Sequence, residues 1–235
     1  MNWKDKFPRE NHYFETGNGI LYHGDCLEIM RDFPSESVDF IFSDYPFNCQ
    51  DGRRNYIKFI FDLSDEYYRL LKSNCVLLII NNPYNLWKTR NAYDKFTHRD
   101  SLVLIRKGAL RPAYRFGFQH NCLITFVKGN DLKFKWNGTK KNHDKSFMTD
   151  VIYYQNGYRI HGRIVHPQAL PLSLVKDMIE IYSNVNDVIL DPFVGSGTLP
   201  VICEKLNRRW IGIEINKKYC EIAKNRIISR NGDKN

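Results

Sequence analysis

At 235 residues the chain is long enough to bury well over half of the surface its unfolded form exposes, so it needs no covalent or metal staple. No apolar run reaches the ~20 residues of a membrane span, the polar start MNWKDKFPRENHYFE is unlike a secretory leader, and six scattered cysteines form no CxxC pair beside histidines. These features argue against a membrane protein, a disulfide framework and a structural zinc site, and point to a soluble protein of a reducing cytoplasm that requires no metal.

Short runs rich in β-branched and aromatic residues alternate with helical patterns. In chain order they predict a strand at Ile20–His23, a helix at Leu27–Asp32, a strand at Val38–Ser43, a helix at Phe59–Leu71, and strands at Val76–Ile80, Leu102–Ile105 and Asn121–Val127. A helix at Leu172–Ser183, a strand at Val188–Leu190, a helix at Thr198–Leu206, a strand at Trp210–Ile213 and a helix at Lys217–Ser229 complete the series. That alternation predicts an α/β fold, a mostly parallel sheet with helices on both faces. Asn121–Val127 is read as an antiparallel strand returning to the sheet, and Gly129 to Arg163 as a small irregular insertion.

Charge is concentrated. From Leu86 to His166 sixteen Lys and Arg face five Asp and no Glu, a balance of +11, which leaves the rest of the chain at −2 of the net +9. A surplus confined to one segment suits a polyanion, because every phosphate neutralised releases condensed counterions; charge alone fits a solvated basic surface equally well.

Two segments carry chemistry. Early in the chain Gly24-Asp25 precedes a helix, and Ser43-Asp44-Tyr45-Pro46-Phe47 follows an apolar strand. Late in the chain, in VILDPFVGSGTLPVICEKLNRRWIGIEI, a strand ends at Asp191, a glycine turn and a helix follow, and the next strand ends at Glu214. Ligands of open α/β sheets bind beyond the carboxyl ends of strands, where glycines admit close backbone approach and an acid suits the hydroxyls of a ribose. The full G-x-G-x-x-G of a dinucleotide site is not present, since Pro200 occupies its third position. A nicotinamide dehydrogenase is therefore disfavoured.

D-P-F-V-G-S-G-T resembles the F-x-G-x-G cofactor motif of DNA amino-methyltransferases, and the early G-D and D-Y-P-F resemble that family's G-D and D-P-P-Y-N motifs. The order of catalytic loop, basic insertion and cofactor loop is that of the β class. The resemblance implies the Rossmann-like fold of S-adenosylmethionine-dependent methyltransferases, with S-adenosylmethionine as cofactor and double-stranded DNA as substrate. It implies a catalytic half at 1–106, a returning strand and target-recognition insertion at 107–165, and a cofactor half at 166–235. Phe193, Gly195, Ser196, Gly197 and Thr198 would line the cofactor together with Asp191, and Glu214 would take its ribose. Asp25 would accept from the amino group of its adenine, unless it serves only as a helix N-cap. His166 would close over the methionine end within HPQALPLSLV, where Leu170 replaces the usual lysine, unless His166-Pro167 is a plain extended lead-in.

At the catalytic motif the amine's lone pair is conjugated into the base ring, so its hydrogens must be held before it attacks. The Asp44 carboxylate and the Tyr45 carbonyl would accept them, with Pro46 shaping the turn and Phe47 stacking on a base extruded from the duplex. Tyr45 stands where a proline is usual, so the loop lacks one rigid residue. Asp at the first position resembles the adenine-specific members and favours adenine N6 over cytosine N4. Arg53, Arg54, Arg111, Arg115, Lys140, Lys141, Arg159 and Arg163 are the expected DNA contacts, interleaved with aromatics. A homodimer in a prokaryotic or phage-infected cytoplasm is expected. The rival readings are a catalytically silent DNA-binding homologue and an enzyme acting on RNA or on a smaller substrate.

Overall fold

The computed structural model describes residues 2–46, 55–110, 118–130, 150–154, 158–160, 163–166 and 170–231. Strands β1 (His12–Glu15) and β2 (Gly19–His23) form a hairpin, and helix α1 (Cys26–Arg31) follows. Strand β3 (Val38–Ser43), helix α2 (Tyr56–Leu70), strand β4 (Leu71–Asn81) and helix α3 (Leu86–Ala92) come next, then strands β5 (Thr97–Leu110) and β6 (Phe118–Val127). Short strands β7 (Val151–Tyr154), β8 (Tyr158–Ile160) and β9 (Arg163–His166) precede helix α4 (Leu172–Tyr182). The chain closes with β10 (Val188–Asp191), α5 (Thr198–Lys205), β11 (Arg209–Glu214) and α6 (Lys217–Asn231).

Nine strands make one sheet in the order β1-β2-β11-β10-β3-β4-β6-β5-β7, while β8 and β9 pair separately. The central strands are parallel and buried along their length, which is why they read as continuous apolar runs rather than alternating ones. Strand β6 runs antiparallel to β4 and β5, as expected of a returning strand. Strand β1 adds a third antiparallel pairing at the opposite edge.

Helices cover both faces. Phe59, Ile60, Leu63, Tyr67 and Leu70 form one side of α2 and pack with α1 and α3 against Ile41, Leu77 and Ile79. Leu174, Val175, Met178 and Ile179 of α4 join α5 and α6 against Phe40, Leu78 and Ile189 on the other face. The α2 crossover thus leaves β3 on one face and carries the chain to β4, while the α5 crossover leaves β10 on the other face and carries it to β11. Because β3 and β10 are neighbours, the strand order reverses between them, and the connections beyond their carboxyl ends diverge to open a crevice.

Three differences from the sequence reading matter. β4 begins five residues before Val76, where the polar Lys72-Ser73-Asn74 is tolerated because α2 runs straight into the strand. Strand β5 extends well beyond Leu102–Ile105, pairing with β6 from Thr97 to Leu110. The stretch from Gly129 to Arg163 is not wholly irregular: β7 joins the sheet parallel to β5, and a hairpin pairs Ile160 with Arg163. Among the described residues, no helix is long and apolar enough to cross a membrane, and Cys26, Cys75, Cys122, Cys203 and Cys220 are free thiols.

Candidate active site

The parallel register brings four carboxylates to one edge of the sheet. Asp25 follows β2, Glu214 ends β11, Asp191 ends β10 and Asp44 follows β3, and these four strands are consecutive neighbours. Glu214 pairs with His23 across β11 and β2, and the Gly24 N–H donates to the Glu214 carbonyl at 3.1 Å. The row spans the crevice where the strand order reverses.

Each acid has its own local chemistry. Asp25 caps α1, its carboxylate accepting from the Leu27 and Glu28 N–H groups at 3.0 and 3.4 Å; the helix-cap reading is therefore fulfilled in this structure. Asp191 is 5% exposed and accepts from the Phe193 N–H at 3.0 Å. Burial, with repulsion from Asp44 and Glu214, pushes its carboxyl up to about 8. Desolvation alone raises half-buried Asp44 to about 7. Glu214 accepts from the Gly195 N–H at 2.9 Å and the Asn216 N–H at 2.7 Å, and burial raises its pKa as well. The Ile215 N–H is a third backbone donor to this carboxylate, and the acceptor capacity that is left suits a ligand hydroxyl.

No ion pair among the described side chains includes Asp44, Asp191 or Glu214. Buried carboxylates without a cation are costly, and a positively charged ligand in the crevice would relieve them. A pyrophosphate would be repelled. The glycine turn beside them is built for close approach: Gly195 and Gly197 have φ of 53° and 84°, a region in which side chains are strained. At Gly197 a Cβ would also lie 2.8 Å from the Cβ of Ala223 on α6.

The catalytic and cofactor loops meet. The Tyr45 ring stands edge-on to the Phe193 ring, centroids 6.4 Å apart, and Phe59 of α2 approaches Phe193 from another side at 6.3 Å. Phe193 is thus wedged between the two halves of the site. Ser196 and Thr198 are buried on the other side of the turn. Pro46 is exposed. Phe47, Arg53, Arg54, Arg111, Arg115, Lys140 and Lys141 lie outside the described residues, and His166, Arg159 and Arg163 are described only through the backbone of β8 and β9.

Several residues of the site escape a linear reading. Arg226 of α6, 5% exposed, donates from Nη1 to the Ser196 carbonyl at 2.6 Å and to its hydroxyl at 2.9 Å, gripping the glycine turn from behind. Asn81 at the end of β4 and Thr89 on α3 hydrogen-bond the Tyr45 hydroxyl. The loop, which has a tyrosine in place of its usual first proline, is therefore held by that tyrosine side chain.

Known proteins resemble this chain in sequence and fold. A family model described as DNA methylase, of the N6/N4 type, matches residues 38–225. The type II methyltransferase M.BamHI of Bacillus amyloliquefaciens is 29% identical over 94% of this chain, which spans only 60% of that relative's length. The DNA adenine methyltransferase YhdJ of Escherichia coli (strain K12) is 25% identical, covering 88% of this chain and 82% of its own. Among solved structures, the cytosine-N4-specific PvuII DNA methyltransferase superposes with a TM-score of 0.80 at 19% identity, over 93% of this chain and 89% of that one. The M1.HpyAVI–SAM complex does so with a TM-score of 0.68 at 27% identity, over 88% and 98%. The fold is that of S-adenosylmethionine-dependent methyltransferases. With the family match running from the first residue of β3 into α6, through both loops that meet at Phe193, this chain belongs to the N6/N4 DNA methylase family.

Proposed function

We propose that the chain methylates the exocyclic N6 of adenine in double-stranded DNA, with S-adenosylmethionine as donor. The observation that carries this reading is the trio Asp44, Asp191 and Glu214, which form no ion pair among the described side chains, set beside a left-handed glycine turn whose Phe193 touches the Tyr45 ring. S-adenosylmethionine fits that row because it bears a sulfonium and an ammonium and no phosphate; bound there, it supplies a methyl group already activated on sulfur.

The chain's own residues do the rest by placement. Glu214 accepts from the ribose hydroxyls, the Gly195–Gly197 turn wraps the methionine part, and Phe193 packs against the cofactor. Asp25 receives the adenine amino group at the mouth of β2, and His166 closes over the methionine end. At the neighbouring strand end the Asp44 carboxylate and the Tyr45 carbonyl accept the two hydrogens of the target amine, which localises its lone pair toward the methyl group. Phe47 stacks on the extruded base, a contact worth about 1–3 kcal/mol. In-line positioning supplies most of the rate.

Arg53, Arg54, Arg111, Arg115, Lys140, Lys141, Arg159 and Arg163 meet the duplex, and two copies of the chain act together because one such domain embraces little of it. Labelled methyl transfer to DNA of mixed sequence, followed by digestion to nucleosides and mass spectrometry, tests the reading. N6-methyladenine is the expected product. N4-methylcytosine would correct the base, and DNA binding without transfer would make the chain a silent homologue.

A further inference from the structure

Tyr45 is the middle of a buried polar network that reaches three separate segments. Its hydroxyl lies 3.0 Å from Thr89 Oγ1 on α3 and accepts from Asn81 Nδ2 at 2.9 Å. Asn81 Nδ2 also donates to Thr89 Oγ1 at 2.5 Å, Asn81 Oδ1 accepts from the Asn82 N–H at 2.8 Å, and the Thr89 hydroxyl donates to the Asn85 carbonyl at 3.1 Å. Either hydroxyl of the Tyr45–Thr89 pair can be the donor. Tyr45 is 1% exposed and Asn81 and Thr89 not at all. Burial raises the phenol far above its ordinary pKa, so it stays neutral. A buried network whose members all have partners is rigid, because any movement leaves a polar atom unsatisfied in a low dielectric.

We propose that Tyr45, Thr89 and Asn81 act together as positioning residues: the tyrosine side chain, clamped by β4 and α3, holds the backbone carbonyl of Tyr45 and the adjacent Asp44 against the cofactor loop. The same ring touches Phe193, so one side chain sets the distance between the two halves of the site. The inference rests on the proposed methyl transfer for its catalytic consequence, but not for its structural one.

The test compares Tyr45→Phe, Thr89→Val, Thr89→Ser and the double variant Tyr45→Phe/Thr89→Val. Phe and Val fill the space of the residues they replace, and melting temperatures check that each variant folds. Expected are a kcat lower by roughly ten- to a hundredfold in Tyr45→Phe and Thr89→Val, a double variant no worse than the poorer single, and substantial recovery in Thr89→Ser. S-adenosylhomocysteine affinity by calorimetry is expected to stay within about twofold of the parent's. In parallel, hydrogen exchange at the Asp44 and Tyr45 amides is expected to quicken in Tyr45→Phe, a readout that stands even if the parent protein transfers no methyl group. Unchanged exchange, or losses of kcat that add independently in the double variant, would overturn the proposal. Methyl transfer lost in Asp44→Ala but kept in Tyr45→Phe would refute it while leaving the proposed function intact.

Discussion

Because burial lifts the Asp44 carboxyl to about 7, its capacity to accept a hydrogen bond as a full carboxylate is present above that pH and lost below it. The rate constant kcat/KM for S-adenosylmethionine reports the enzyme before the cation binds, so it is expected to fall about tenfold per pH unit below about 7. The bound cation favours the ionised form, so kcat should fall off at a lower pH than kcat/KM. A flat acid limb would remove Asp44 from the role. Asp44→Ala is expected to abolish methyl transfer while weakening cofactor binding far less than Glu214→Ala does, since its main partner is the target amine and the sulfonium keeps Asp191 beside it. Glu214→Ala is expected to act the opposite way, weakening S-adenosylmethionine roughly ten- to a hundredfold, as lost hydrogen bonds to a charged group cost about 1.5–3 kcal/mol. The Gly195 and Asn216 N–H groups also lose their acceptor in that variant, so Glu214→Gln serves as the milder comparison by calorimetry.

At the level of elements, the glycine turn depends on its neighbour α6 as much as on its own sequence. Gly197→Ala places a methyl group 2.8 Å from Ala223 Cβ at a φ of 84°, so α5 and α6 must part or the turn must open. The expected cost is about 2–3 kcal/mol, read as a melting temperature lower by about 5–10 °C, with weaker cofactor binding. An unchanged melting curve would mean that the turn is looser than its dihedrals imply. The β10–α5–β11 unit was legible in the sequence because strand, glycine turn and helix follow one another within thirty residues. So was the pairing of Asp44 with the cofactor loop, since both sit just past apolar strands. Other elements were not. The helix α3, LWKTRNA, is too short to show a period, and β7 lies in a basic aromatic stretch that resembles a loop until β5 is there to pair with it. Arg226 looked like any charged residue of a C-terminal helix, and the Tyr45–Asn81–Thr89 network joins positions 36 to 44 residues apart. Such links are made by packing and leave no local trace.

Across the whole molecule, the two charge distributions act at different ranges. The surplus of +11 between Leu86 and His166 predicts DNA binding that weakens steeply with salt, whereas the carboxylate row sits in a crevice that salt screens little. A salt-independent DNA affinity would discredit the basic segment as the duplex-facing surface. The carboxylates in turn couple cofactor binding to pH. Asp44 and Asp191 move from about 3.8 to about 7 and about 8 on folding, so the folded chain binds more protons than the unfolded chain across that window. The linkage then gives a stability that is greatest below the unfolded value and declines as pH rises through the folded ones. A cationic ligand reverses the decline, because it pairs with the ionised forms. The thermal shift produced by S-adenosylmethionine is therefore expected to grow between pH 6 and 8. S-adenosylhomocysteine keeps the ammonium and lacks the sulfonium, so its shift should grow less over the same range. Equal pH slopes for the two ligands would place the sulfonium away from Asp44 and Asp191, and with it the methyl group away from the loop that holds the target amine.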